Sequence, residues 1–270
     1  SGVNDRLKKM TGKNRHYLAH EYLNMEFHPL HFSTMAKWLE PAKVQYACFA
    51  DFMGNIDPMN LTPDQQDFLK EIHDPVFRQN VRDFMVNQQF RKDFWVKGRR
   101  TLFPGERIEL LRRQYVVLNR HRGDISMQIT GPQVKTTLTE DLCNPLLDLM
   151  ADYLPKTLGQ IEQHMAKNGF AFNQVLSAVM TLAGAGHLTP ARDLSDAQRV
   201  RKQTDSLNLH LMQRAQNSGD IACLASPVTG GGIGVIRFHQ LFLLAGYHGY
   251  KKPEDRAGFV WRILKSRGQR

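Results

Sequence analysis

Residues 103–131, FPGERIELLRRQYVVLNRHRGDISMQITG, mark the place where the character of this chain changes. Phe103-Pro104-Gly105 is turn chemistry, and Tyr115 to Leu118 is a β-favouring run. Ile125, Met127 and Ile129 then alternate with Ser126, Gln128 and Thr130 before Gly131-Pro132. Two strands joined by the polar loop Asn119 to Asp124 are expected to form a β-hairpin. Upstream, apolar residues recur with helical spacing; downstream, helices alternate with short strands. The expected fold is α+β and predominantly helical. A helical N-terminal domain over residues 1–103 precedes a C-terminal domain over residues 104–270.

Working upstream, Asp74-Pro75 is a helix start, with Phe77, Val81, Phe84 and Met85 lining one apolar face. Thr62-Pro63-Asp64-Gln65 is a capping box with proline at the first helical position. Val44, Tyr46 and Cys48 alternate as a strand would. His28-Pro29 opens a segment whose Phe32, Met35, Ala36 and Leu39 make one stripe, closed by Pro41.

Working downstream, Asn144-Pro145 reads as a helix start, Thr157 caps a second helix ended by Asn168-Gly169, and Asn173 caps a third ended near Gly184 and Gly186. A strand over His187 to Pro190 follows. Three helices, a strand and a basic loop have the rhythm of a winged helix. Ser195 and Gln198 cap a longer helix with Val200, Thr204, Leu207 and Leu211 on one side. Ile221 to Ala225 is strand-like, Ser226 to Gly234 is a glycine-rich loop, and two helices close the chain.

With 41% hydrophobic and 23% charged residues among 270, the chain can bury one large core or two modest ones. No apolar run reaches bilayer length. Cys48, Cys143 and Cys223 are scattered, which suggests a reducing, cytoplasmic setting without a disulfide framework. The net charge of +10 is local: residues 78–122 hold 12 Lys/Arg against 4 Asp/Glu, and residues 251–270 hold 7 against 2. Such clusters suit an acidic partner surface, be it another domain, a protein, a membrane face or nucleic acid; a plain solvated face is the alternative.

The motifs that carry chemistry are few. Thr229-Gly230-Gly231-Gly232-Ile233-Gly234 exposes backbone, but it lacks the lysine of a phosphate loop and the spacing of a dinucleotide fingerprint. It reads as a turn or a loop touching a neighbouring domain. His16, His20, Glu21, His28 and His31 are clustered, yet Asn24 stands where a zincin would need its second histidine, so no metal is expected. Tyr17, His20, Glu21, Tyr22, Leu23 and Asn24 read instead as a helix that contacts another surface. No nucleophile elbow or cysteine–base pair is present, so no catalytic residues are assigned. In the recognition position of the winged helix, Asn173 to Ala183 carries no Lys or Arg. That speaks against DNA binding, which stays as the alternative function.

The run Tyr17-Leu18-Ala19-His20-Glu21-Tyr22-Leu23-Asn24, with Pro29 and Phe32, resembles the opening of the bacterial methyltransferase regulatory domain. So do Asp74-Pro75, Arg82-Asp83-Phe84, Asn87, Phe90-Arg91-Lys92-Asp93 and Gly98. The resemblance covers roughly residues 15–104. Beyond it, Ser226-Pro227-Val228-Thr229-Gly230 and Leu241-Phe242-Leu243 are similar to the C-terminal region of bacterial protein-lysine methyltransferases, which includes a winged-helix-like part. In those proteins the region follows a catalytic domain that binds S-adenosylmethionine. No acidic Gly-x-Gly-x-Gly cofactor motif following a hydrophobic strand stands in this sequence, so the resemblance implies a non-catalytic, regulatory and substrate-recognising region. It would hold no cofactor itself and would serve a catalytic methyltransferase domain in cis or trans, with protein as substrate. The chain is then a piece of a longer polypeptide or one half of a split system. Tyr17, His20, Glu21 and Asn24, with Arg91 and Asp93, are the expected interdomain or substrate contacts, a solvated face being the alternative for Arg91 and Asp93.

Overall fold

The computed structural model describes residues 2–26, 28–130 and 135–266. Gly131-Pro132, read above as a strand end, lies outside them. The chain divides into two compact units, Ser1–Phe49 with Leu61–Arg99, and Ala50–Asn60 with Arg100–Arg270. Among the described residues no helix is long and apolar enough to cross a membrane.

The first unit begins with α1 (Gly2–Thr11) and α2 (Arg15–Tyr22), then α3 (Phe32–Leu39), which starts at the His31 cap rather than at His28-Pro29. A 3-10 turn at Glu40–Ala42 follows, and Lys43 turns left-handed into β1 (Val44–Phe49). The chain then leaves for the second unit, where α4 (Asp57–Asn60) sits. It returns through α5 (Pro63–Glu71), α6 (Pro75–Met85) and β2 (Asp93–Lys97). Thr62 and Gln65 make both halves of the expected capping box, and Asp74 accepts from Phe77 N–H at 2.7 Å. β1 and β2 pair antiparallel with a bulge between Tyr46 and Cys48.

The face expected of α6 is borne out in half: Val81 and Met85 pack against a core of Leu61, Leu69 and Val86. Phe77 and Phe84, also expected inside, are 57% and 72% exposed, whereas Arg82 is 5% exposed with its guanidinium over the Phe49 ring. Helical periodicity marks an apolar stripe but not how much of it the core covers.

The second unit runs α7 (Pro104–Arg112), β3 (Tyr115–Leu118), β4 (Gln128–Thr130), β5 (Lys135–Thr137), α8 (Glu140–Leu149), β6 (Lys156–Thr157), α9 (Leu158–Ala166), α10 (Phe172–Gly184) and β7 (Leu188–Ala191). After these come α11 (Leu194–Arg214), β8 (Cys223–Ser226), β9 (Gly231–Gly234), α12 (Arg237–Tyr247) and α13 (Pro253–Ser266). β3 lies between β6 and β7 in an antiparallel sheet, and α8, α9 and α10 supply the core. Leu146, Leu147, Met150, Ile161, Met165, Val175 and Leu182 are fully buried there. Residues 50–60 join this core through Met53 and Met59. Asn60 pins the segment by donating to the Met53 and Ile56 carbonyls at 2.7 and 2.8 Å. A Cβ at Gly184 would come within 3.1 Å of the Met53 nitrogen, so glycine permits that approach without displacing the segment.

Several expected details differ. β3 does not pair with residues 125–130: its partners are β6 and β7, Leu118 facing Leu188, while Gln128–Thr130 pairs with Lys135–Thr137. The loop taken for a hairpin turn instead contains a 3-10 turn, Arg122–Asp124, capped by His121. α8 begins a turn early, behind Thr139, with Pro145 inside it. α10 starts behind Ala171, whose N–H is accepted by the Gln174 side chain at 2.9 Å, so Asn173 is already helical. Asp193, not Ser195, caps α11. On α11, Val200 and Leu207 are exposed; its buried residues are Ala197 and Met212. The stretch read as a loop is the turn and second strand of a β-hairpin over residues 223–234, with Gly230 at φ +72° in the turn.

Asp193 also accepts the Tyr115 hydroxyl proton at 2.6 Å, tying β3 to the start of α11. This bond, with those from Ser195, lowers the Asp193 carboxyl from 3.8 to about 2. A carboxyl held below its unfolded value adds stability above that value, lost as pH falls from about 4 through about 2. Tyr115→Phe removes the strongest of these bonds. The variant is expected to begin acid unfolding at a higher pH than the native chain, read by circular dichroism; coincident acid curves would refute the assignment.

Candidate functional site

The unit-one site is built around Arg91, in the connection between α6 and β2. Its Nη1 donates to both Asp83 oxygens at 2.7 and 2.8 Å. Nε and Nη2 each reach Asp93 at 3.0 Å, and Nη2 also contacts Gln79 at 3.3 Å. The guanidinium carbon lies 4.3 Å from the centroids of both Phe32 and Phe49, and 5.5 Å from that of Tyr46. Phe32 stacks on Trp95 at 5.4 Å. The side chains of Arg91, Asp83 and Asp93 are 14%, 18% and 10% exposed. Arg91 and Asp93 are thus a part-buried ion pair within one unit, not a solvated face, because α3 and the β1–β2 ribbon cover them with aromatic rings.

The electrostatics follow from two carboxylates sharing a dry pocket with arginine. Burial pushes the Asp83 carboxyl up, against the pull of Arg91. Burial also disfavours the Arg91 cation, but the bonds from Asp93 and Asp83 outweigh it, and Arg91 stays charged. Tyr46 is pushed up to about 12, chiefly by burial. With its donors committed to these acceptors, Arg91 organises the unit and offers no free fork to a ligand. What faces out is apolar: Phe77 and Phe84 on α6, Trp38 on α3, and Phe94 on β2, each more than half exposed.

The α2 residues form a separate group. No residue of α2 is buried. Asn14 caps it, accepting from His16 N–H at 2.8 Å. Tyr17, 41% exposed, meets Tyr22 edge-on at 6.3 Å and carries Lys13 Nζ 4.6 Å from its ring. His20 and Glu21 are exposed. Asn24 accepts from Glu26 N–H at 3.0 Å, closing the turn after the helix. Among the described residues no hydrogen bond or ion pair joins these side chains to Arg91 or Asp93, and no three His, Cys, Asp or Glu converge as a metal set.

The second unit holds a cleft that sequence reasoning missed, about 800 Å3, between β9 and the β3–β7 pair. Val117, Asn119, Thr189, Pro190, Thr229 and Gly232 are among its walls. Thr229 Oγ1 is buried without a hydrogen-bond partner. Pro227 and Gly230 between two four-residue runs were the available hairpin signal; glycine's low strand propensity hid it. Elsewhere Asn173, Gln174, Ser177 and Thr181 of α10 line a shallow, uncharged depression of about 480 Å3.

Residues 14–97 match the family model described as predicted methyltransferase regulatory domain. Over 265 residues the chain is 34% identical to the uncharacterized protein sll1526 of Synechocystis sp. (strain ATCC 27184 / PCC 6803 / Kazusa), covering 98% of this chain and 51% of that protein. The chain thus spans about half the length of this curated relative. PKMT2 from Rickettsia typhi has a similar fold, with TM-score 0.57 at 16% identity, over 98% of this chain and 56% of that one. The same protein in complex with AdoHcy gives 0.58 at 16%, over 97% and 55%.

Proposed function

We propose that this chain is the substrate-recognition and regulatory region of an S-adenosylmethionine-dependent methyltransferase acting on protein, and that it works against a catalytic domain supplied in cis or in trans. The observation that carries the reading is the outward turn of Phe77 and Phe84 on α6. A folded unit that buries Arg82 and Arg91 while turning Phe77 and Phe84 outward presents an apolar face on a rigid base, as an interface does. The match of residues 14–97 to a predicted methyltransferase regulatory domain supports a catalytic methyltransferase domain as the partner. The protein-substrate reading rests on the resemblance of residues 226–243 to the C-terminal region of protein-lysine methyltransferases.

The described residues do not fit the methyl donor. A class I cofactor cleft lies at the carboxyl ends of parallel strands, and each strand pair described here is antiparallel. No transfer step is therefore routed through these side chains; their part is to hold and orient the acceptor. We read α8, α9 and α10 with the β6–β3–β7 sheet as winged-helix-like, with β3 entering the central place from before the helices. The uncharged face of α10 suits a protein or peptide better than duplex DNA.

Mixing the chain with the unmatched half of the Synechocystis relative tests the interface by gel filtration. Co-elution is expected, and Phe77→Ser with Phe84→Ser should abolish it while leaving the fold intact. Co-elution undiminished by that pair would remove α6 from the interface.

A further inference from the structure

We propose that the open edge of β9 is a docking strand for an extended, acid-flanked peptide segment. The inference deepens the substrate-recognition reading and rests on it. Among the described residues β8 and β9 form a two-stranded antiparallel pair, so each has one edge without a strand there. The β8 edge is closed by a side chain. Asn208 of α11 accepts from Ala225 N–H and donates to the Ala225 carbonyl, both at 2.8 Å. That contact fixes the parity of the ladder. Ala225 turns its polar groups away from β9, so its opposite residue, Gly232, turns its own N–H and carbonyl away from β8. Gly234, two residues on, does the same.

These outward groups are accessible. All four residues of β9 are exposed, and a Cβ at Gly231 or Gly234 would meet nothing within 4 Å. An open edge of this kind is a template for another strand, recognised through main-chain hydrogen bonds. The facing edge of β7 is blunted. The Asn119 N–H to His187 carbonyl bond sets its parity, so that Leu188 and Pro190 turn outward, and proline has no N–H to offer. The cleft of about 800 Å3 lies between β9 and the β3–β7 pair, within the size range of ligand sites. Thr229 Oγ1 supplies a buried, unpartnered polar atom in its wall.

Charge selects the occupant. Arg192 follows β7 at the turn end, where its side chain lies against Gly230, and Arg120 follows Asn119 at the opposite end of the β3–β7 pair. Both are exposed, and neither is in a salt bridge among the described residues. A ladder of this length places them about five residues of extended chain apart. Acidic side chains flanking a short extended segment would meet both. The β9 strand carries no aromatic ring on which a nucleotide base could stack, which favours peptide over single-stranded nucleic acid.

The test is fluorescence anisotropy on the 270-residue chain with a labelled peptide of alternating threonine and valine around one lysine, a glutamate near each end. Its comparators are the same peptide with lysine ends, a version with prolines at alternate positions, and a single-stranded oligonucleotide. The acid-flanked peptide is expected to bind best, more weakly at high salt, and the proline version about tenfold more weakly. Gly232→Pro removes an N–H that faces away from β8, so the hairpin keeps its ladder while peptide affinity falls about tenfold. Equal affinity in a Gly232→Pro chain with an unchanged thermal melt overturns the proposal, as does tighter binding of the oligonucleotide or no binding of any peptide. Should that variant not fold, Arg120→Gln with Arg192→Gln decides: loss of the preference for glutamate ends supports the slot, and its retention overturns it. Peptide binding that survives these changes sinks the slot alone, whereas failure to associate with a catalytic half bears on the broader reading.

Discussion

Replacing Arg91 with methionine is expected to destabilise the first unit by about 3 kcal/mol, measured as a shift of its urea midpoint. Methionine keeps much of the packing beneath Phe32 and Phe49 but leaves Asp83 and Asp93 facing each other without their shared donor. Breaking a buried pair costs about 3–5 kcal/mol. The lower end applies because these side chains keep 10–18% exposure and Arg82 remains nearby. The pH dependence has a definite sign. Burial already raises Asp83 above its unfolded value, so the folded state binds its proton first on acidification. Without Arg91 that tendency grows, and the deficit of the variant should shrink as pH falls through the raised Asp83 value toward the usual carboxylate range. Asp83→Asn in the Arg91→Met background should recover part of the loss at neutral pH. A change within about 0.5 kcal/mol, flat with pH, would mean the cluster is solvated after all.

Leu146→Ala should cost about 3 to 4 kcal/mol, because the side chain is fully buried in the second unit's core and its removal leaves a cavity among well-packed neighbours. The informative contrast is Leu207→Ala on α11. Leu207 lies on the stripe that helical spacing marks as apolar, yet it is 49% exposed, and its truncation should change stability by no more than about 0.5 kcal/mol. Comparable losses from the two substitutions would show that α11 buries the face its sequence advertises.

These cases show which parts of the fold the residues disclose. Signals confined to one turn of chain are legible: the Thr62 capping box, the Thr157 cap and the Gly169 stop appear where the sequence places them. Pairing is not local, and the expected partner of Tyr115–Leu118 lost to Leu188–Ala191, about seventy residues downstream, because β3 fills the middle of a sheet and needs two neighbours. The α6 face is legible by half, for a different reason. Val81 and Met85 meet an apolar core, but the unit also buries an arginine clamped by two carboxylates and a ring set drawn from three elements, which hydrophobic pattern does not anticipate. Arg91 and Asp93 could be singled out in the sequence, but their burial depends on Phe32, Tyr46 and Phe49, more than 40 residues away. The β9 edge was hidden by composition, since it takes contacts such as that of Asn208 with Ala225 to reveal which way the glycine backbone faces.

That this polypeptide serves a catalyst rather than being one is tested most directly by calorimetric titration of S-adenosylmethionine into the purified, folded chain. The account predicts heats indistinguishable from dilution. Saturable one-to-one binding at micromolar concentration would contradict it, since a donor site would then exist within a set of residues whose described strands pair only antiparallel.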